Sequence, residues 1–228
     1  MATVILLRHG RSTSNVAGVL AGRAEGVELD EHGRAQAAAI AERLSTLPLA
    51  AVVSSPLQRC LQTLAPLTGS PTVDERLAEI DYGRWTGREL RKLFKEPMWK
   101  VVQQHPSAAV FPEGEALAEV ATRAVAAIRE WDRKVAETHG PAAVWLACSH
   151  GDVIKAVLAD ALGLHLDGFQ RIVVDPCSIS VVSYTDLRPF VVKINDSGSD
   201  VSSLRPPKRR RRRKPSSAAV VGGSTGEN

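Results

Sequence analysis

Apolar residues cluster along this chain in two recognisable patterns, short unbroken runs and helically spaced positions. Val4–Leu7 is a run of four β-favouring residues that stops at Arg8-His9-Gly10, which predicts a buried strand leading into a loop. Asp30 stands where a helix N-cap is expected, and Ala37, Ile40, Ala41 and Leu44 then recur at helical spacing up to Pro48. Ala50–Ser54 reads as a second buried strand, with Pro56 at the first position of a helix to about Leu64. Residues 71–83 read as a short strand and turn, and helical fragments broken at Pro97 and Pro106 follow. Leu117, Val120, Ala124, Ala127, Ile128 and Trp131 mark a long amphipathic helix from Gly114 to about His139. Ala142–Cys148 is a further buried strand, followed by Ser149-His150-Gly151 and a helix to Leu162. Ile179–Tyr184 and Phe190–Ile194 close the pattern as two late strands.

This order predicts an α/β fold, a three-layer α/β/α sandwich with a mostly parallel sheet and helices on both faces. In such sheets the ligand site lies beyond the carboxyl ends of the strands. His9 and His150 each follow a predicted buried strand, so both belong at the same sheet edge although far apart in sequence.

Composition narrows the class. With 228 residues, 44% hydrophobic and 24% charged, the chain has the balance of a folded domain and excludes a wholly disordered one. Three cysteines spread over this length exclude a disulfide scaffold and suggest a reducing, cytoplasmic setting. Cys60, Cys148 and Cys177 read as small buried side chains. No apolar run is long enough for a membrane-spanning helix, and Met1–Gly10 does not have the layout of a signal peptide.

The net charge of +4 invites a polyanion as partner until it is located. Eight of the 29 basic residues and one of the 25 acidic residues lie at 205–228, a surplus of seven positive charges. Residues 1–204 therefore hold 21 basic against 24 acidic side chains and carry −3. From 196 onward the chain becomes rich in Ser, Pro, Gly and Arg, so the expected division is a folded domain at 1–204 and a disordered basic tail at 205–228. Within it, Lys208–Lys214 is a run of basic residues suited to nonspecific nucleic-acid contact through 205–214.

Four segments carry candidate chemistry. Arg8-His9-Gly10 puts an imidazole able to act as a nucleophile beside a guanidinium able to grip a phosphate, or else two side chains that satisfy loop carbonyls. Ser54-Ser55-Pro56-Leu57-Gln58-Arg59 places an arginine early in a helix after a buried strand, as an anion ligand or an exposed helix residue. Ser149-His150-Gly151 offers an imidazole and an amide to phosphoryl oxygens. Glu79 sits near a predicted buried strand end among apolar neighbours, as a general acid or as a surface carboxylate paired with Arg76 or Arg84.

Together these segments resemble the histidine phosphatase superfamily, in its phosphoglycerate mutase-like branch, over about residues 3–195. The resemblance rests on Arg8-His9-Gly10 with Asn15, Ser54-Ser55-Pro56 with Arg59 and Thr63, Glu79 with Gly83 and Gly87, Phe111-Pro112-Glu113-Gly114-Glu115, and Ser149-His150-Gly151. It implies that His9 becomes a phosphohistidine and that Glu79 is the proton donor. It also implies that Arg8, Asn15, Arg59, His150 and Gly151 bind the phosphate, with His150 able to add a further positive charge. Arg11, Ser12, Gly22 and Arg23 are expected at the substrate rim. The implied enzyme needs no cofactor and no metal, and takes a small phosphorylated metabolite. A homodimer is left open as a partner arrangement.

The chain departs from the family pattern at Arg11, Thr86, Ala116 and Asp152, none of them an expected catalytic position. Arg11 adds a cation that suits a substrate with a second anionic group, or that pairs with a surface carboxylate. The mutases resemble one another in a longer insertion carrying an Arg-Arg pair. Here Gly87–Pro112 is short and lacks that pair, so hydrolysis is expected and a phosphoglycerate-type mutase is the alternative. Trp99 and Phe111 are read first as core residues.

Overall fold

A computed structural model describes residues 1–198; the basic tail expected at 205–228 lies outside the described residues. The strands are β1 (Thr3–Arg8), β2 (Leu49–Ser54), β3 (Thr72–Val73), β4 (Val144–Ser149), β5 (Ile179–Ser183) and β6 (Phe190–Asp196). They form one sheet in the order β3-β2-β4-β1-β5-β6. The β2–β3, β2–β4 and β1–β4 pairs are parallel, and β1–β5 and β5–β6 are antiparallel. Among the described residues the α-helices are α1 (Thr13–Ala17), α2 (Glu31–Leu44), α3 (Gln58–Leu64), α4 (Leu90–Leu93), α5 (Pro97–Gln104), α6 (Leu117–His139) and α7 (Gly151–Ala161).

Unbroken apolar runs follow from a sheet covered on both sides. Val4 and Leu6 of β1 pack with Trp145 and Ala147 of β4 and with Val120, Ala124 and Ile128 of α6 and Val153 and Val157 of α7. Ile5 and Leu7, the alternate positions, join Leu146 and Cys148 against Ile40 and Leu44 of α2 and Cys60 and Leu64 of α3. The three cysteines are free and buried. Asp132, an acid inside α6, is satisfied by the Trp145 indole at 3.1 Å and the Ala2 amide at 2.9 Å.

Three local expectations shift. The third helix begins at Gln58 rather than Pro56, because Ser55 N still bonds Cys148 O at 2.9 Å and Leu57 remains extended as the N-cap. The long helix begins at Leu117, because residues 111–115 form a turn that bonds the chain near Asp81. Glu79 is not at a strand end: β3 is two residues long, and a single 3₁₀ turn at Glu75–Leu77 separates it from Glu79.

Candidate active site

β1 and β4 lie side by side with Arg8 opposite Ser149, so the residues that leave the two strands, His9 and His150, are neighbours. Their rings stand 5.1 Å apart, centre to centre. Arg8, His9, Arg59, Glu79 and His150 are all buried, and they converge at the carboxyl edge of the parallel strands.

His9 Nδ1 lies 2.8 Å from the carbonyl oxygen of its neighbour Gly10. That oxygen can only accept, so the ring proton sits on Nδ1 and the Nε2 lone pair points into the site. Arg59 Nε donates to that Nε2 at 3.3 Å. Burial first, then the charges of Arg59 and Arg8, hold the His9 imidazolium well below its ordinary range. The ring is therefore neutral near pH 7, the form a nucleophile needs.

Arg59, on the first turn of α3, also donates through Nη2 to Gly22 O at 2.9 Å and to His150 Nδ1 at 3.2 Å. A guanidinium cannot accept, so His150 carries its proton on Nε2, which meets Ser55 Oγ at 2.7 Å. Burial, Arg59 and His9 keep His150 neutral as well, so it does not add the further positive charge suggested for it. Arg8 Nη1 donates to Val174 O, in the segment before β5, at 2.7 Å. Thr63 Oγ1 accepts from Gly10 N at 2.9 Å and donates to Arg59 O at 2.7 Å, tying the loop after β1 to α3.

Glu79 pairs with neither Arg76, which bonds Asp74 and Glu130, nor Arg84, which bonds Glu113. Its Oε1 accepts from Ile80 N at 3.0 Å, which leaves Oε2 facing the histidines, 3.9 Å from His150 Nδ1. Burial, reinforced by the Asp152 carboxylate, pushes the Glu79 carboxyl up to about 7 against the opposing pull of Arg59 and Arg8. Asp152 is itself buried, bonded to Lys155 Nζ and Tyr82 OH, both at 3.1 Å.

The remaining predicted positions are placed less directly. Asn15 and Ser12 are occupied with each other at the start of α1, where Asn15 Oδ1 accepts from Ser12 N and Ser12 Oγ at 2.9 Å. Ser12 is buried there rather than lying open at a rim. Gly22 supplies its carbonyl to Arg59, and Gly151 opens α7 directly after His150. Arg11 is turned to Asp30, with Nε at 2.8 Å and Nη2 at 2.7 Å, which is the carboxylate pairing raised as its alternative role. Arg23 bonds Glu79 O and Glu115. Sequence reasoning gave no role to Ser55 or Arg123. Ser55 stood inside a quoted motif, whereas nothing around Arg123 marks it out from other helix arginines.

The histidine phosphatase superfamily (branch 1) model matches residues 4–197, nearly all of the described chain. The chain belongs to that superfamily. This histidine phosphatase is 30% identical over 202 residues to "Phosphoserine phosphatase 1" of Hydrogenobacter thermophilus, covering 86% of this chain and 92% of the relative. It is 30% identical over 213 residues to "Probable phosphoglycerate mutase GpmB" of Proteus mirabilis, covering 90% and 95%. Among solved structures, a mycobacterial glucosyl-3-phosphoglycerate phosphatase complexed with VO3 superposes with a TM-score of 0.76 at 28% identity, over 85% of this chain and 98% of that one. Members of the superfamily are phosphatases or phosphomutases, and the fold and enzyme class expected from the sequence agree with these findings. No helix among the described residues is long and apolar enough to cross a membrane.

Proposed function

We propose that this histidine phosphatase hydrolyses a small phosphomonoester through a phosphohistidine on His9, with Glu79 as acid and then base. The observation that carries this reading is the His9 Nε2 lone pair, fixed by the Nδ1–H bond to Gly10 O and lying beside Arg59, whose other partner His150 stands 3.9 Å from the Glu79 carboxyl. His9 Nε2 attacks phosphorus, the bond to the leaving oxygen breaks, and protonated Glu79 delivers its proton to that oxygen. Water then attacks the phosphohistidine, the carboxylate of Glu79 takes the water proton, and the P–N bond breaks to return neutral His9 and free phosphate. Arg8 and Arg59 match the charge on the transferring group, with neutral His150 held against Arg59, and such matching is most of what phosphoryl transfer asks of a protein.

Water is favoured as acceptor because Gly87–Pro112 lacks an Arg-Arg pair and three of its five Lys and Arg side chains have local partners. Arg88 pairs with Glu96, and Arg91 and Lys92 both pair with Glu89. A phosphate-release screen over phosphorylated metabolites tests the reading: the expected result is free phosphate, abolished in His9→Ala. Phosphoryl migration without release would establish the mutase alternative, and substantial turnover by His9→Ala would reject the phosphohistidine. Polyanion contact through 205–214 is a separate proposal resting on the charge run alone.

A further inference from the structure

The sequence motif Phe111-Pro112-Glu113-Gly114-Glu115 is left without a role by the chemistry above, although its last residue is at the centre of a bonded cluster. Glu115 Oε2 accepts from Arg23 Nη2 at 2.8 Å, from Arg123 Nη2 at 3.0 Å and from the Asp81 amide at 2.9 Å. Its Oε1 accepts from Arg123 Nε at 3.0 Å. The same two arginines then converge on one backbone atom, the carbonyl oxygen of Glu79, with Arg23 Nε at 2.8 Å and Arg123 Nη2 at 3.2 Å.

We propose that Glu115, acting through Arg23 and Arg123, is the positioning residue that fixes the proton-donating carboxyl of Glu79. The inference rests on Glu79 being the proton donor. The three side chains come from the segment after Gly22, from the 111–115 turn and from α6, so they lock the 79–81 backbone from separate parts of the fold. That backbone sets the carboxyl directly, because Glu79 Oε1 is bonded to the next amide, Ile80 N. A rotation of the 79–80 peptide therefore moves Oε2 away from the histidines. Charged hydrogen bonds are stronger than neutral ones, and a lone carbonyl does not need two of them to be satisfied. Two guanidinium groups held by a shared carboxylate fix a direction as well as filling a bonding requirement. Close packing adds to it: Glu115 N donates to Asp81 O at 2.9 Å, so the turn and the Glu79 segment are bonded backbone to backbone.

The test separates positioning from general damage by the leaving group. An alkyl phosphate needs its leaving oxygen protonated, whereas p-nitrophenolate departs without a proton. For Glu115→Gln, kcat/KM on an alkyl phosphate should fall about tenfold or more, while that on p-nitrophenyl phosphate falls less than about threefold. Arg23→Lys, at an exposed position, should show the same selectivity, because an ammonium cannot span Glu79 O and Glu115 as the fork does. Equal losses on both substrates, or no loss, in the folded variants would overturn the inference. Glu79→Gln is the control. If it shows no leaving-group selectivity, the assignment of Glu79 as acid fails and this inference falls with it. If it does and the Glu115 and Arg23 variants do not, only the positioning role is rejected.

Discussion

Glu79 couples chemistry to stability at the scale of one carboxyl. Folding raises it from about 4.5 to about 7, so the folded chain binds its proton more tightly than the unfolded chain. The sign follows: the stability linked to that proton is full below about 4.5 and is lost as pH rises through about 7. Glu79→Gln keeps the neutral shape and removes the ionisation. It should melt higher than the parent at mildly alkaline pH, by on the order of a few kcal/mol, and match it in acid. A series of thermal melts across pH checks this, and a parent that is the more stable in alkali would refute it. The candidate residues His9 and His150 were legible because each follows a run of buried apolar residues and precedes glycine. The proton positions on their rings were not legible. They depend on Gly10 O, Arg59 and Ser55, of which the last two meet the rings only after the sheet has formed.

At the scale of elements, the contact between the 79–83 loop and the 111–115 turn is close enough to require glycine twice. A Cβ on Gly83 would lie 2.1 Å from Pro112 O, and one on Gly114 would lie 2.3 Å from Asp81 O. Gly114→Ala must push the two backbones apart, and should cost about 1–3 kcal/mol in urea unfolding together with activity. Glu113 between them points the other way. It is held at φ +60°, a left-handed conformation unfavourable to a side chain, and its ion pair with Arg84 is exposed. Glu113→Gly should therefore stabilise the fold by about 0.5–1 kcal/mol, read as a higher urea midpoint at unchanged slope. A lower midpoint would mean that the Arg84 pair outweighs the strain. Periodicity located α6 and β4 well because burial on one stripe or both faces leaves a pattern. The Glu79 segment left none: it is held by arginines 44 and 56 residues away and by a turn, none of which has a period.

For the molecule as a whole, the charge of residues 1–204 is −3 and the surplus lies at 205–228. On the proposed reading the anion meets local cations in a mildly acidic body, and a substrate would be held by Arg8 and Arg59 rather than drawn by net charge. Removing residues 205–228 should leave kcat/KM on a small phosphomonoester within about twofold while abolishing salt-sensitive retention on RNA. A large loss of turnover would tie the basic segment to the site. The three-layer arrangement was readable from the order of runs, yet the antiparallel β5 and β6 edge followed from no local pattern, since a run's direction in a sheet is decided by its connections.

The placement of β1 between β4 and β5 has a consequence for synthesis. The first strand made is flanked on both sides by strands that leave the ribosome more than a hundred residues later. Until β4 emerges, His9 has no second histidine beside it and its strand has no partner for its backbone groups. On the proposed mechanism a nascent or prematurely terminated chain should therefore not turn over phosphoesters, and catalytic competence should arrive late in translation. During that interval Val4–Leu7 is an unpaired apolar strand, so chaperone dependence should be greatest for chains arrested before residue 144.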